Sequence, residues 1–116
     1  MQKRNDLLLF PFGKGNEKPL FAQKDLKVIG AKILGKNRNV FKMILETPGT
    51  GLRMDALYFG DVDTIDAYIR GKFGSDETEK LYLGRRNNVT LSVTYYPDIN
   101  EFRGVKTLQV VVKNYM

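Results

Sequence analysis

The chain has 116 residues, no Cys and no His, and 19 Lys plus Arg against 13 Asp plus Glu, a formal net charge of +6. Such a composition excludes a disulfide framework, a thiolate nucleophile, a Ser-His pair and an imidazole metal ligand. With 42% hydrophobic residues the chain belongs with globular proteins, at a length suited to one domain.

Residues 1–25 hold a short apolar run, Leu7 to Phe12, then a turn-rich stretch from Gly13 to Phe21. They read as an ordered lead-in, because Leu20 and Phe21 need cover, and the domain proper is expected over 26–116. The basic head of the chain is followed by too few apolar residues before Pro11 for a secretory segment, and no run approaches the roughly 20 of a membrane span. A cytoplasmic location with no membrane partner is expected.

Residues 26–34 are apolar and β-branched and stop at Gly35, which predicts a strand with Gly30 as a bulge or bend. A turn at 35–39 leads to 40–47, where Phe41, Met43 and Leu45 alternate with Val40, Lys42, Ile44 and Glu46. The Pro48-Gly49-Thr50-Gly51 turn precedes a third strand over 52–59, with Met54, Ala56 and Tyr58 opposing Arg53, Asp55, Leu57 and Phe59. From Asp61 the period changes. Val62, Ile65, Ile69 and Phe73 fall at helical spacing, with Asp61 or Asp63 as N-cap and Gly74 as the stop. Residues 75–80 are polar and expected to be mobile, and 81–84 are expected to add a short extended piece. A fourth strand over 89–96 buries Val89, Leu91, Val93 and Tyr95, turns Tyr96 outward and ends at Pro97. A fifth covers 106–114.

This order predicts an all-β fold with one helix, a five-stranded OB-fold barrel with the helix between strands three and four. That fold binds oligonucleotides on the face of strands two and three and through the loops joining strands one to two and four to five. Those loops fall at 35–39 and about 97–106. The charges agree with this surface. Lys27, Lys32, Lys36, Arg38 and Lys42 stand in a tract without an acid, residues 60–80 are acidic, and Arg85, Arg86, Arg103, Lys106 and Lys113 make the last third basic again. A single Lys or Arg is usually just solvated; segregation of this kind points to a polyanion. Lys36, Arg38, Lys42, Arg53, Arg103 and Lys106 are the candidate phosphate contacts. Phe41, Tyr58, Tyr96 and Phe102 are the aromatic candidates for base stacking. Phe41 is assigned to the core, Tyr58 fits either role, and Tyr96, which faces away from the apolar set of the fourth strand, is favoured with Phe102 as the exposed pair.

Other chemistries fit less well. Asp61 with Asp63, or Asp76 with Glu77, could be read as Mg ligands but are better explained as helix caps and dipole partners. Gly13-Lys14-Gly15 lacks the ending of a phosphate-binding P-loop and reads as a turn. A module for protein contacts, with the acidic helix over 61–73 as its surface, is the alternative to a nucleic-acid grip.

The segment from Pro11 to Phe21, PFGKGNEKPLF, is similar to the PFGxGNxxPxF lead-in of the C-terminal OB domain of RecJ, the bacterial single-strand-specific 5′ to 3′ DNA exonuclease of the DHH phosphoesterase superfamily. Val40-Phe41-Lys42-Met43 resembles that family's HLKL, Asp55 to Gly60 its EAIAFG, and Asn100-Glu101-Phe102-Arg103-Gly104 with Leu108-Gln109 its NEYRG and LQL pair. The resemblance spans roughly residues 7–114. It implies a non-catalytic domain that holds single-stranded DNA beside upstream DHH and DHHA1 catalytic domains, in DNA repair and recombination. The Mn or Mg of such enzymes is bound by Asp and His in those upstream domains, so no cofactor is implied for this chain, which has no His. Val40 stands where the family often has His, so any role of that imidazole is missing here.

Overall fold

The structure, a computed structural model, describes residues 8–10 and 20–116; most of the lead-in expected over 1–25 lies outside the described residues. The elements are β1 (Leu8–Phe10), β2 (Leu20–Leu34), β3 (Val40–Glu46), β4 (Arg53–Tyr58), α1 (Val62–Phe73), α2 (Ser75–Tyr82), β5 (Thr90–Phe102) and β6 (Val105–Tyr115). β2 pairs with β3, β3 with β4, β4 with β6, β6 with β5, and β5 returns to β2, so the pairing runs in a closed cycle. β1 adds an antiparallel pairing to β2, with Leu9 opposite Phe21. The β4–β6 contact is parallel, a geometry that needs a long crossover, supplied here by the two helices and β5.

β2 takes part in three pairings because it bends. Its register with β3 shifts between Val28 and Gly30, and its register with β5 shifts between Gln23 and Leu26, where Asp25 has φ 56°. Bulges of this kind increase local twist and re-aim the side chains that follow. The bend expected at Gly30 is present. The strand itself starts earlier than the apolar pattern predicts, at Leu20.

The core is the inward row Ile33, Phe41, Tyr58, Val112 and Tyr95, each opposite the next, together with Leu26, Met43, Leu45, Leu91 and Val93. α1 contributes Val62, Ile65 and Ile69, the face its spacing predicts. Asp61 caps it, its carboxylate accepting from the amides of Asp63 at 3.0 Å and Thr64 at 3.3 Å. Gly74 ends it with φ 91°. Tyr58 packs edge-on against Tyr115 at 5.4 Å and lies against the Cα of Gly60, where a Cβ would collide with its ring.

Hydrogen bonds from Thr64, then from the amide of Asp63, hold the Asp61 carboxyl below its ordinary value of 3.8. A depressed carboxyl stabilises the fold above the unfolded value and loses that contribution as pH falls through the folded one. Asp61→Asn keeps a capping oxygen but binds no proton. Its urea midpoint is expected to drop less than that of the wild type between about pH 5 and about pH 3.

Three expectations are corrected. Residues 75–82 form a second helix rather than a mobile segment and an extended piece. Only Thr78 and Leu81 are buried there, too few to display a period, and the helix is held by Thr78 Oγ1 donating to Gly74 O at 2.8 Å and by Lys80–Glu77 and Arg70–Glu79 ion pairs. Pro97 does not end β5. It sits opposite Val110, past the last β2 pairing at Tyr95, so its missing N–H falls on an edge that has no pairing among the described residues. Finally, the expected loop 97–106 is a two-stranded ribbon closed by a two-residue turn at Arg103 and Gly104. Among the described residues no helix is long and apolar enough to cross a membrane.

Candidate nucleic-acid interface

The outward side chains of the cycle form a second row, one residue out of phase with the core: Lys32 opposite Lys42, Lys42 opposite Leu57, Leu57 opposite Val111, Val111 opposite Tyr96. Lys32 is in this row because the bulge at Val28–Gly30 resets the alternation. Lys27 before it and Lys32 after it both face outward, while Leu26, Val28 and Ala31 are buried. Like charges directly opposite each other destabilise a sheet, and neither Lys32 nor Lys42 has an ion-pair partner among the described residues. A phosphate bound at each of them would offset that repulsion. Beside the lysines, half-buried Leu57 and Tyr96 flank Val111, which is 6% exposed. The row thus passes from cationic to apolar to aromatic across five strands.

Toward the start of β4, Arg53 donates through Nε to Glu46 at 3.0 Å, and Lys27 stands opposite Glu46 on the other side. Any phosphate at Arg53 competes with that carboxylate. Asp55, opposite Ile44, puts one acid on the same face. Arg53 lies four residues from Leu57, about 13 Å along the strand.

The flanking segments carry the remaining cations. In the 35–39 turn Arg38 has φ 54° and donates its amide to Gly35 O at 3.0 Å. Gly35 has φ 95°, and a Cβ there would collide with Oδ1 of Asn39. This turn faces the start of α1 across a shallow site of about 340 Å³ that also includes Asp61 and Asp63, so the charge around Arg38 is mixed. At the ribbon tip Arg103 has φ 52° and Gly104 φ 79°, the type I′ geometry that favours Asn or Gly at its first position. The Arg103 guanidinium lies 5.1 Å from the Phe102 ring, and Phe102 is 67% exposed. Arg38 and Arg103 are two of only three non-glycine described residues at positive φ.

The expected site residues therefore fall into groups. Lys42 and Tyr96 share the central row. β6 runs parallel to β4, so the ribbon tip with Phe102 and Arg103 lies at the Arg53 end of the face, and Lys36 and Arg38 lie at the other. Lys106 stands opposite Glu101, on the side of the ribbon away from Phe102 and Tyr96 by strand alternation, and does not join them. Phe41, fully buried and edge-on to Tyr82 at 6.1 Å, is core as expected, and Tyr58 is taken up by its packing against Tyr115. Sequence reasoning missed Lys32. The signal was present, since a bulge at Gly30 moves it onto the outward face.

The helices gather the acids elsewhere. Arg70 bridges Asp66 at 2.9 Å and Glu79 at 2.8 Å, and these hydrogen bonds raise its pKa further. Burial, then a 2.6 Å hydrogen bond to Asp66, pushes the Tyr82 hydroxyl well above its usual range. Among the described residues no group of three or more His, Cys, Asp or Glu could hold a metal ion.

Comparison with solved structures finds similarity to the SSB domain of a protein from Synechococcus sp., at 14% identity with a TM-score of 0.53, covering 89% of this chain and 98% of that one. At that identity the likeness concerns the fold. No curated protein gives a significant match. The RecJ OB domain family matches residues 6–114, a span that takes in β2 through β6 and both helices, and the chain belongs to that family.

Proposed function

We propose that this chain is the non-catalytic single-stranded-DNA-binding domain of a RecJ-like 5′ to 3′ exonuclease, a hydrolase of DNA repair and recombination in the cytoplasm. Its closed cycle of five strands is read as the OB barrel, and catalysis belongs to upstream DHH and DHHA1 domains of the parent chain. The observation that carries this reading is the outward row: an opposed lysine couple, without an ion-pair partner among the described residues, beside an apolar and aromatic ledge. Phosphates sit at Lys32 and Lys42, and bases lie toward Leu57 and Tyr96. Arg38 and Arg103 hold the strand at the two ends, which accounts for arginine in two turn positions where the backbone favours Asn or Gly. Contacts of this type are indifferent to base identity, as an exonuclease that degrades any strand requires.

Four phosphates neutralised predict a slope of about −2.8 for log K against log salt, at about −0.7 each. Anisotropy titrations of a labelled oligothymidylate at several salt concentrations measure it; a flat response contradicts the reading. Exposed apolar pairs on both sides of the ribbon, Ile99 with Leu108 and Phe102 with Val105, favour a second reading, a packing module that positions the catalytic core. Binding of the chain to the catalytic fragment without any affinity for oligonucleotides is the result expected if that reading holds alone.

A further inference from the structure

A second cationic site lies off the central row, where the Val28–Gly30 bulge meets the segment between α2 and β5. Continuing the β2–β5 ladder past Lys27 opposite Thr90, the Val28 amide donates to Val89 O at 3.0 Å, which ties that segment to β2. The segment is further fixed by Arg85 N donating to Lys80 O at 2.8 Å, by Asn88 N donating to Glu77 Oε1 at 2.7 Å, and by Val89 N donating to Asn87 Oδ1 at 2.8 Å. The result is a concave site of about 270 Å³ between β2, β4 and the segment, lined by Lys27, Arg53, Arg85, Arg86 and the single acid Glu46. Glu46 is engaged by Arg53. Lys27, Arg85 and Arg86 have no ion-pair partner among the described residues. Three uncompensated cations from two separate parts of the chain thus converge on one concavity, on a segment whose backbone is already held.

We infer that this concavity is a phosphate-binding subsite that receives the backbone of the strand after it leaves the central row, guided past Arg53. It rests on the single-strand reading for its natural ligand, though not for its capacity to bind a phosphate. The subsite lengthens the footprint of the domain and sets the exit direction of the strand, toward the α2–β5 segment.

The double variant Arg85→Ala, Arg86→Ala tests it, since the backbone contacts that hold the segment are untouched. With two phosphates lost, the salt slope for a long oligothymidylate is expected to shrink by about 1.4, so that raising salt fourfold weakens the wild type about sevenfold more than the variant. Pyrophosphate, titrated into the isotope-labelled chain, is expected to move the amide resonances of residues 84–88 in the wild type and not in the variant. Those shifts in a chain that fails to bind oligonucleotides would support the subsite while removing the single-strand reading. Shifts confined to other residues, or a variant that keeps the wild-type salt slope, would overturn the subsite.

Discussion

Lys32→Glu is expected to make the protein more stable and a weaker DNA binder at the same time. Lys32 and Lys42 face each other across β2 and β3, and an opposed like-charge pair costs stability. A glutamate at 32 turns repulsion into attraction, a gain of about 0.5 to 1 kcal/mol at this exposed position. The same change puts a negative charge where a phosphate is to bind. Reversing one unit charge within about 4 Å of a phosphate in water costs about 2 kcal/mol, so affinity for an oligothymidylate should fall at least about tenfold. Lys32→Gln should fall between the two in both measurements. Urea denaturation and anisotropy on the same samples check the pair of signs. Unchanged affinity would mean that the lysine couple does not hold the strand.

Two phenylalanines are expected to behave in opposite ways. Phe41 has no exposed surface and packs against Tyr82 from α2. Truncation to Ala leaves a cavity at the junction of sheet and helix and should cost about 3–5 kcal/mol. For a domain of this size that is a large part of its total stability, of the order of 10 kcal/mol. Phe102→Ala, at the exposed tip of the ribbon, should change stability by less than about 0.5 kcal/mol yet weaken oligonucleotide binding by about fivefold or more, from the loss of one stacking platform worth at least about 1 kcal/mol. Thermal melts separate the two. A stable Phe41→Ala protein would contradict the packing described for the core.

β3, β4 and the first half of β5 were legible in the sequence because each buries one face. Phe41, Met43 and Leu45 alternate with Val40, Lys42 and Ile44, and the buried positions follow that alternation residue by residue. α1 was legible for the same reason at a different period, with an Asp before it and a Gly after it. α2 was not: eight residues with two buried side chains present no stripe, and their helix rests on ion pairs and on Thr78 bonding back to Gly74. The ribbon from Pro97 to Lys106 was also hidden, because its side chains are largely exposed and proline there reads as a stop until it is known that, among the described residues, the β2 pairing of β5 ends at Tyr95.

The site was legible in part. The two basic turns and Lys42 follow from the order of elements and the placement of charge. The pairing of Arg53 with Glu46, the turning of Lys106 to the other side of the ribbon and the arrival of Lys32 beside Lys42 depend on register, and register passes through a bulge whose offset shifts every later residue to the opposite face. Gly30 marks such a place without stating its consequence.

Chemical-shift mapping of the isotope-labelled chain with a short oligothymidylate tests the central claim most directly. Perturbations are expected at Lys32, Lys42, Leu57, Tyr96, Arg38 and Arg103, along one outward face and its two flanking turns. Perturbations gathered instead on α1 and α2, around Asp66 and Glu79, would contradict it.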